Sequence, residues 1–278
     1  MDSTMDSGML DVPGARLYFE VRGAGPVLLT ILGGGGDAAM AAPLAGALAD
    51  RYTVITYDRR GATRSPLTGP PYEQGIEEHA DDALRLLSAV GEEPAHVFGT
   101  HSGALIALDL LARHPERVRR LVAHEPPAFS LLPDAAHWFA LAGEAVALCL
   151  EEGVGPAMRK FGEETGVTAP PEPDPNLPAW VKDMLTRMNA NMETSLRYEM
   201  LPFCRYVPDA AALRTAPLAL ASGVQTRSML MHRCTLAVAG YLGLDPVELP
   251  GDYVGYLRSP AEYAAELHTL LAAPPGQP

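Results

Sequence analysis

Cysteine is scarce in this chain, with three in 278 residues. Cys149, Cys204 and Cys234 lie far apart, are odd in number and show no CxxC spacing, which argues against a disulfide framework, a zinc site or a redox pair. They are expected as small buried hydrophobes. Basic residues are also outnumbered: 21 Lys and Arg against 34 Asp and Glu leave a net charge of −13, so DNA or an acidic membrane surface would be repelled overall. Long apolar runs are missing as well. Runs such as Pro217 to Ala221 fall far short of the roughly 20 residues that a membrane span needs. The chain opens Met1-Asp2-Ser3 with no basic n-region, so a cytoplasmic protein is expected. What remains is 47% hydrophobic and 20% charged, the composition of a globular chain able to hold one large domain with an insertion. Disorder, collagen and coiled coil fit it poorly.

Short apolar runs alternate with amphipathic segments of helical length, the pattern of a mostly parallel sheet covered on both faces. The strands are expected at Ala15 to Val21, Val27 to Leu32, Tyr52 to Tyr57, Ala95 to Phe98, Val118 to His124, Pro217 to Ala221 and Pro246 to Leu249. Ile76, Ala80, Ala83, Leu84, Leu87 and Val90 fall on one helical face. Further helices are expected at Met40 to Ala49, Ser102 to His114, Leu230 to Leu242 and Pro260 to Leu271. From about Ala128 to Tyr206 the strand pattern stops, and this stretch holds Trp138, Trp180 and the Pro-rich segment Ala169 to Pro178. It reads as a helical cap, residues 128–206, inserted into a core domain of residues 1–127 and 207–278.

The strand residues His96-Val97-Phe98 lead into Gly99-Thr100-His101-Ser102-Gly103-Ala104 and then the apolar run Leu105 to Leu108. That is a strand-turn-helix elbow. Its two glycines flank a residue held in strained backbone geometry, because side chains there would clash with the neighbouring elements. The centre of such an elbow should be Ser, Cys or Asp, and here it is His101.

Other motifs accompany it: Leu32-Gly33-Gly34-Gly35-Gly36-Asp37, Tyr57-Asp58-Arg59-Arg60-Gly61, Arg113-His114-Pro115-Glu116-Arg117-Val118, and Pro250-Gly251-Asp252-Tyr253-Val254-Gly255-Tyr256. With them nearly the whole chain resembles the α/β-hydrolase superfamily, specifically small bacterial members with a helical cap that are similar to esterases, epoxide hydrolases and polyketide tailoring proteins. The resemblance implies a mostly parallel sheet with helices on both faces, and a triad of nucleophile, acid and histidine. The acid position falls on Gln225, an amide, and the histidine position on Tyr253. Nucleophile, acid and base are therefore all substituted. Glu125, at the end of a strand, is a weak candidate for a relocated acid.

The backbone N–H groups of Gly34 and Ser102 would still form an oxyanion hole. His101 on the elbow would be desolvated and beside a positive helix end, conditions that favour neutral imidazole, and Tyr253 could face it as proton donor or orienting partner. Gly35, His124, Phe129, Trp138 and Met188 are the expected substrate contacts. Met184, Met188 and Met192 share a helix face that is either core or pocket roof. His79, His96, His114 and His268 are expected near the surface, whereas His124, His137 and His232 could reach the cleft. No cluster has metal-ligand spacing, and the glycine run lacks the Gly-Lys-Ser/Thr of a phosphate loop. No metal and no cofactor are expected.

On these grounds the expected function is non-hydrolytic acid/base chemistry, a lyase, cyclase, dehydratase or isomerase acting on an apolar oxygenated molecule of natural-product or polyketide type. Two alternatives stand beside it. One is a catalytically dead binding protein; the other is a weak hydrolase with His101 as base or nucleophile. The expected partner is a small apolar molecule, with no nucleic acid and no membrane, and a homodimer is left open.

Overall fold

In the computed structural model of the protein, which describes residues 5–167 and 176–273, eight strands form one sheet. They are β1 (Met5–Val12), β2 (Ala15–Arg22), β3 (Val27–Ile31), β4 (Thr53–Tyr57), β5 (Ala95–Thr100), β6 (Val118–His124), β7 (Leu218–Gly223) and β8 (Val247–Leu249). Their spatial order is β1-β2-β4-β3-β5-β6-β7-β8. From β4 to β8 every pairing is parallel, and only β1 and β2 run against their neighbours. All seven expected strands are present. The central ones are continuous apolar runs because both faces are covered, and every residue of β5 and β7 is buried.

Strand β1 carries too little apolar signal to be read in advance. Its sequence Met-Asp-Ser-Gly-Met-Leu-Asp-Val buries only Val12, and the strand is held by main-chain pairing to β2 across the turn at Pro13-Gly14. Gly14 supplies the positive φ of 81° that this turn requires.

Helices α1 (Ala38–Leu48), α2 (Ile76–Val90) and α3 (Ser102–Arg113) follow β3, β4 and β5. Helix α2 buries Ile76, Ala80, Ala83 and Leu87, the face expected from spacing. It also buries His79 and Asp82, against expectation for His79. The reason lies outside the helix: Arg60 forks onto both Asp82 carboxylate oxygens at 2.7 Å, and His79 lies edge-on to Phe203 with ring centroids 5.4 Å apart.

Between β6 and β7 the chain forms α4 (Ala135–Glu152), α5 (Val154–Thr165), α6 (Ala179–Thr194), a π-helical turn (Ser195–Glu199), α7 (Met200–Arg205) and α8 (Ala210–Leu213). The Pro-rich expectation at Ala169 to Pro178 falls mostly outside the described residues. After β7 come α9 (Leu230–Leu242), α10 (Gly255–Arg258) and α11 (Pro260–Ala272). One apolar cluster joins α2, α3 and α9 to the sheet, and a second joins α1, α10 and α11, so helices cover both faces. A third cluster packs Phe129, Trp138, Leu141, Phe161 and Leu196 with Met231 and Cys234 of α9. The three cysteines are free and buried. No described helix is long and apolar enough to cross a membrane.

Candidate active site

His101 sits at the β5–α3 junction with φ 54° and ψ −129°, a backbone conformation that side-chain-bearing residues rarely adopt. The surroundings impose it. A Cβ on Gly99 would lie 2.6 Å from the Gly103 carbonyl oxygen, and one on Gly103 would collide with the Ile31 carbonyl. Only two glycines let the start of α3 press against β3 and β5. The His101 N–H donates to the His124 carbonyl at 2.9 Å, and the His101 carbonyl accepts from Ala104 N–H at 2.8 Å. The turn is thereby closed from both sides.

Above the elbow lies a cavity of about 410 Å³. His101, Ser102 and Gly33 to Gly36 line one side; α5, α6 and α7 supply Met158, Phe161, Met184, Met188, Met192, Met200 and Phe203. Tyr253 and Val254 complete the wall. All three methionines of the α6 stripe face this space, and Met184 packs into the core as well. The glycine loop fits directly against α6, since a Cβ on Gly35 would meet the Met188 carbonyl and lie 3.0 Å from Met192 N.

Burial, and next the Arg59 guanidinium, lower the His101 pKa to about 4, so the imidazole is neutral near pH 7. Arg59 itself ties two parts of the site together. Its Nη1 donates to Glu199 Oε1 at 2.6 Å and its Nη2 to the Gly34 carbonyl at 2.7 Å. The Gly34 N–H in turn donates to Ser102 Oγ at 3.0 Å.

The cavity brings together His101, Tyr253, Gly34, Ser102, Gly35, Phe129 and Met188. Three expected residues stand elsewhere. Gln225 is exposed on the loop after β7, its N–H donating to the Gly251 carbonyl at 3.0 Å. His124 is fully buried between Phe98 and Tyr263, with Nδ1 3.1 Å from Thr100 Oγ1, because its strand position points it into the sheet's packing. Trp138 stacks behind Phe129, ring centroids 6.3 Å apart, and does not reach the cavity.

Glu125 has φ 51° and accepts from Gly223 N–H at 2.9 Å and from Thr226 Oγ1, which staples the β6 end to the β7 loop. His232 bonds Ser222 and His137 pairs with Glu164 near the surface, neither lining the cavity. His96 is buried against Tyr52, and His268 bonds the Tyr52 hydroxyl. Asp58 is a structural ion pair, with Arg64 Nε at 2.7 Å. Sequence reasoning missed Glu199, which no motif marks; Arg59, its partner, is 140 residues away.

Residues 26–149 match the protein family described as "alpha/beta hydrolase fold". Over 275 residues the chain is 36% identical to the uncharacterised hydrolase YraK of Bacillus subtilis, covering 96% of this chain and 97% of that protein. Over 107 residues it is 44% identical to a putative carbamate hydrolase RutD of Azorhizobium caulinodans, 38% of this chain and 40% of the relative. Among solved structures, an α/β hydrolase from Sphaerobacter thermophilus superposes with a TM-score of 0.71 at 26% identity, covering 95% of this chain and all of the other.

These relatives overturn the expectation of lyase, cyclase or isomerase chemistry and of polyketide biosynthesis, since they are named hydrolases. Substitution of the serine had placed hydrolysis behind proton-transfer chemistry, as the weak-hydrolase alternative, and the relatives' names reverse that order. A neutral imidazole on the elbow can activate water without a covalent intermediate.

Proposed function

Because this chain belongs to the α/β-hydrolase superfamily, we propose that it hydrolyses an acyl bond, such as an ester, in a mainly apolar small molecule, with His101 as the base. The observation that carries this reading is the placement of His101: a neutral imidazole, on the strained elbow, facing an apolar cavity beside the glycine loop. The names of the relatives supply the reaction class.

In this reading, residues 128–206 form a cap over a core of residues 1–127 and 207–278. The substrate carbonyl oxygen lies against the N–H groups of Gly34 and Ser102 at the start of α3, where the helix end favours developing negative charge. His101 takes a proton from a water molecule whose oxygen attacks the carbonyl carbon, then returns that proton to the leaving oxygen as the tetrahedral intermediate collapses. One imidazole serves both transfers. A direct attack by His101 would leave an acyl-imidazole whose hydrolysis needs a second base, and positions 225 and 253 hold Gln and Tyr. Tyr253, on the same cavity, is the candidate orienting partner for the leaving group. Gly35, Phe129 and Met188 contact the apolar part of the substrate.

The test is turnover of a panel of nitrophenyl esters, lactones and carbamates by the wild type and by His101→Ala. Turnover above the buffer rate, reduced about 100- to 10,000-fold in the variant, is the expected result. A variant that keeps wild-type turnover removes His101 from the chemistry, and silence of the wild type across the panel overturns the hydrolase reading.

A further inference from the structure

Gly33 to Gly36 place four residues without side chains in a row, and such a run has the greatest backbone freedom a chain can have. A loop of this kind aims an N–H at one atom only if it is held from outside. Three consecutive carbonyls of the loop are held. The Gly33 carbonyl accepts from Gly36 N–H at 3.1 Å, the Gly34 carbonyl from Arg59 Nη2 at 2.7 Å and the Gly35 carbonyl from Asn191 Nδ2 at 3.4 Å. A trans peptide points its N–H opposite to its C=O, so each anchored carbonyl also sets the direction of the amide that follows it. The Gly34 N–H is thereby turned to Ser102 Oγ at the start of α3, 3.0 Å away, and the Gly35 N–H is turned away from Arg59.

Neither anchoring side chain lines the cavity. Asn191, on α6, is 4% exposed, and its amide can stand only one way round: Oδ1 accepts from Thr63 N–H at 2.8 Å, a group that can only donate, which leaves Nδ2 for Gly35. Arg59 is buried as well and is held in turn by Glu199 of the π-helical turn, at 2.6 Å. Arg187 of α6 adds a further tie directly after the loop, its Nε 2.8 Å from Asp37 Oδ2. We propose that Asn191 and Arg59 are positioning residues, which act through the glycine loop to keep its amides aimed at a negatively charged oxygen in the cavity. The helical segment between β6 and β7 then does more than roof the site, because it sets the donors on the opposite wall. Donors held in advance need no rearrangement as charge develops, and a misplacement of about 1 Å costs on the order of 100-fold in rate.

The negatively charged oxygen rests on the acyl-hydrolase reading, so binding is measured beside turnover. Methyl pentylphosphonate, a monoanion, has the tetrahedral shape and the charge of the intermediate formed from methyl hexanoate, whereas 3-octanone has the same chain, a neutral planar carbonyl and no bond to hydrolyse. Calorimetric titration of the wild type is expected to show the phosphonate binding at least about tenfold more tightly. Two variants are compared with it: Asn191→Ala, and Arg59→Lys, which keeps the charge but cannot bridge Glu199 and Gly34. In each, the preference should fall below about threefold, while the ketone binds within about threefold of its wild-type affinity. On methyl hexanoate, kcat should fall about 10- to 100-fold with KM changed less than about threefold.

A purely structural role would weaken both ligands alike or lower the melting temperature alone, and either result overturns the proposal. So does a wild type that binds the two ligands equally or binds neither, or a preference that survives in a folded variant. If Asn191→Ala does not fold, Arg59→Lys decides. A preference that the variants lose, without ester turnover by the wild type, would sink the hydrolase reading and keep this one; turnover without the preference would do the reverse.

Discussion

The Ser102 hydroxyl accepts the Gly34 N–H at 3.0 Å, so one of the two candidate oxyanion donors is already engaged in the resting protein. A substrate carbonyl oxygen that uses this amide has to displace the hydroxyl. The arrangement follows from the glycine loop, since a Cβ on Gly33 would lie 2.6 Å from Ser102 N and 2.8 Å from Ser102 Oγ. With no side chain at position 33, the loop closes onto the first turn of α3.

Removing the competitor should therefore help. Ser102→Ala is expected to raise kcat/KM on an ester substrate about two- to fivefold, the scale of one neutral hydrogen bond worth about 1 kcal/mol. Steady-state kinetics on matched preparations check it. A tenfold fall would instead give the hydroxyl a direct part in the reaction.

The elbow stores strain at the proposed catalytic base. With φ 54° and ψ −129° at His101, His101→Gly should relieve about 1–3 kcal/mol of backbone strain. The variant is expected to be at least as stable as the wild type by calorimetry, while ester turnover is lost. A melting temperature several degrees lower would show that imidazole packing outweighs the strain.

Four histidines make the fold sensitive to acid, His79 among them, held well below its ordinary value by burial and by Arg59 and Arg60. Burial first, and nearby cationic groups second, lower His101 and His96 to about 4 and His124 to about 3, from an ordinary 6.5. Below pH 6.5 the unfolded chain takes up protons that the folded chain refuses, so stability is complete above 6.5 and declines as pH falls toward 4. For His124, fully buried, the slope approaches about 1.4 kcal/mol per pH unit. Buried Asp82 and Glu125, raised chiefly by burial, act in the opposite sense. Urea midpoints at pH 7 and pH 5 for the wild type and His124→Gln isolate the histidine share: the wild type should lose more than the variant. Turnover through His101, measured between pH 5 and 8, should show no protonation limb in that range.

Arg60 is 1% exposed and bonds Asp82, also 1% exposed, through both Nε and Nη2 at 2.7 Å. Arg60→Ala leaves that carboxylate buried without its partner and is expected to cost about 3–5 kcal/mol. Arg60→Lys should recover only part of this, because an ammonium cannot make the planar fork. Denaturant unfolding of the two variants decides the order.

Much of the architecture was legible in the amino-acid order. Continuous apolar runs marked the parallel strands, and the 3.6-residue spacing from Ile76 to Val90 marked the buried face of α2. Gly99 and Gly103, four residues apart after a strand, announced the elbow, because only a strained turn between packed elements demands glycine on both sides. These are local signals, set by backbone sterics and side-chain periodicity, and they survive in any correct fold.

The site was legible only where it borrowed from those signals. His101, Gly34 and Ser102 belong to the elbow and the glycine loop, so their meeting followed from the fold itself. Gln225 and His124 were assigned by position along their elements, but a loop residue turned outward and a strand residue turned inward cannot be separated without the packing around them. Glu199 carried no mark at all. Its meeting with Arg59 across 140 residues depends on a π-helical turn and on where α7 closes over the sheet. Local sterics wrote the strands, the helices and the elbow into the sequence; the buried Arg59–Glu199 pair was decided by the tertiary structure, because long-range packing alone determines which polar atoms lose water and which partners are left to replace it.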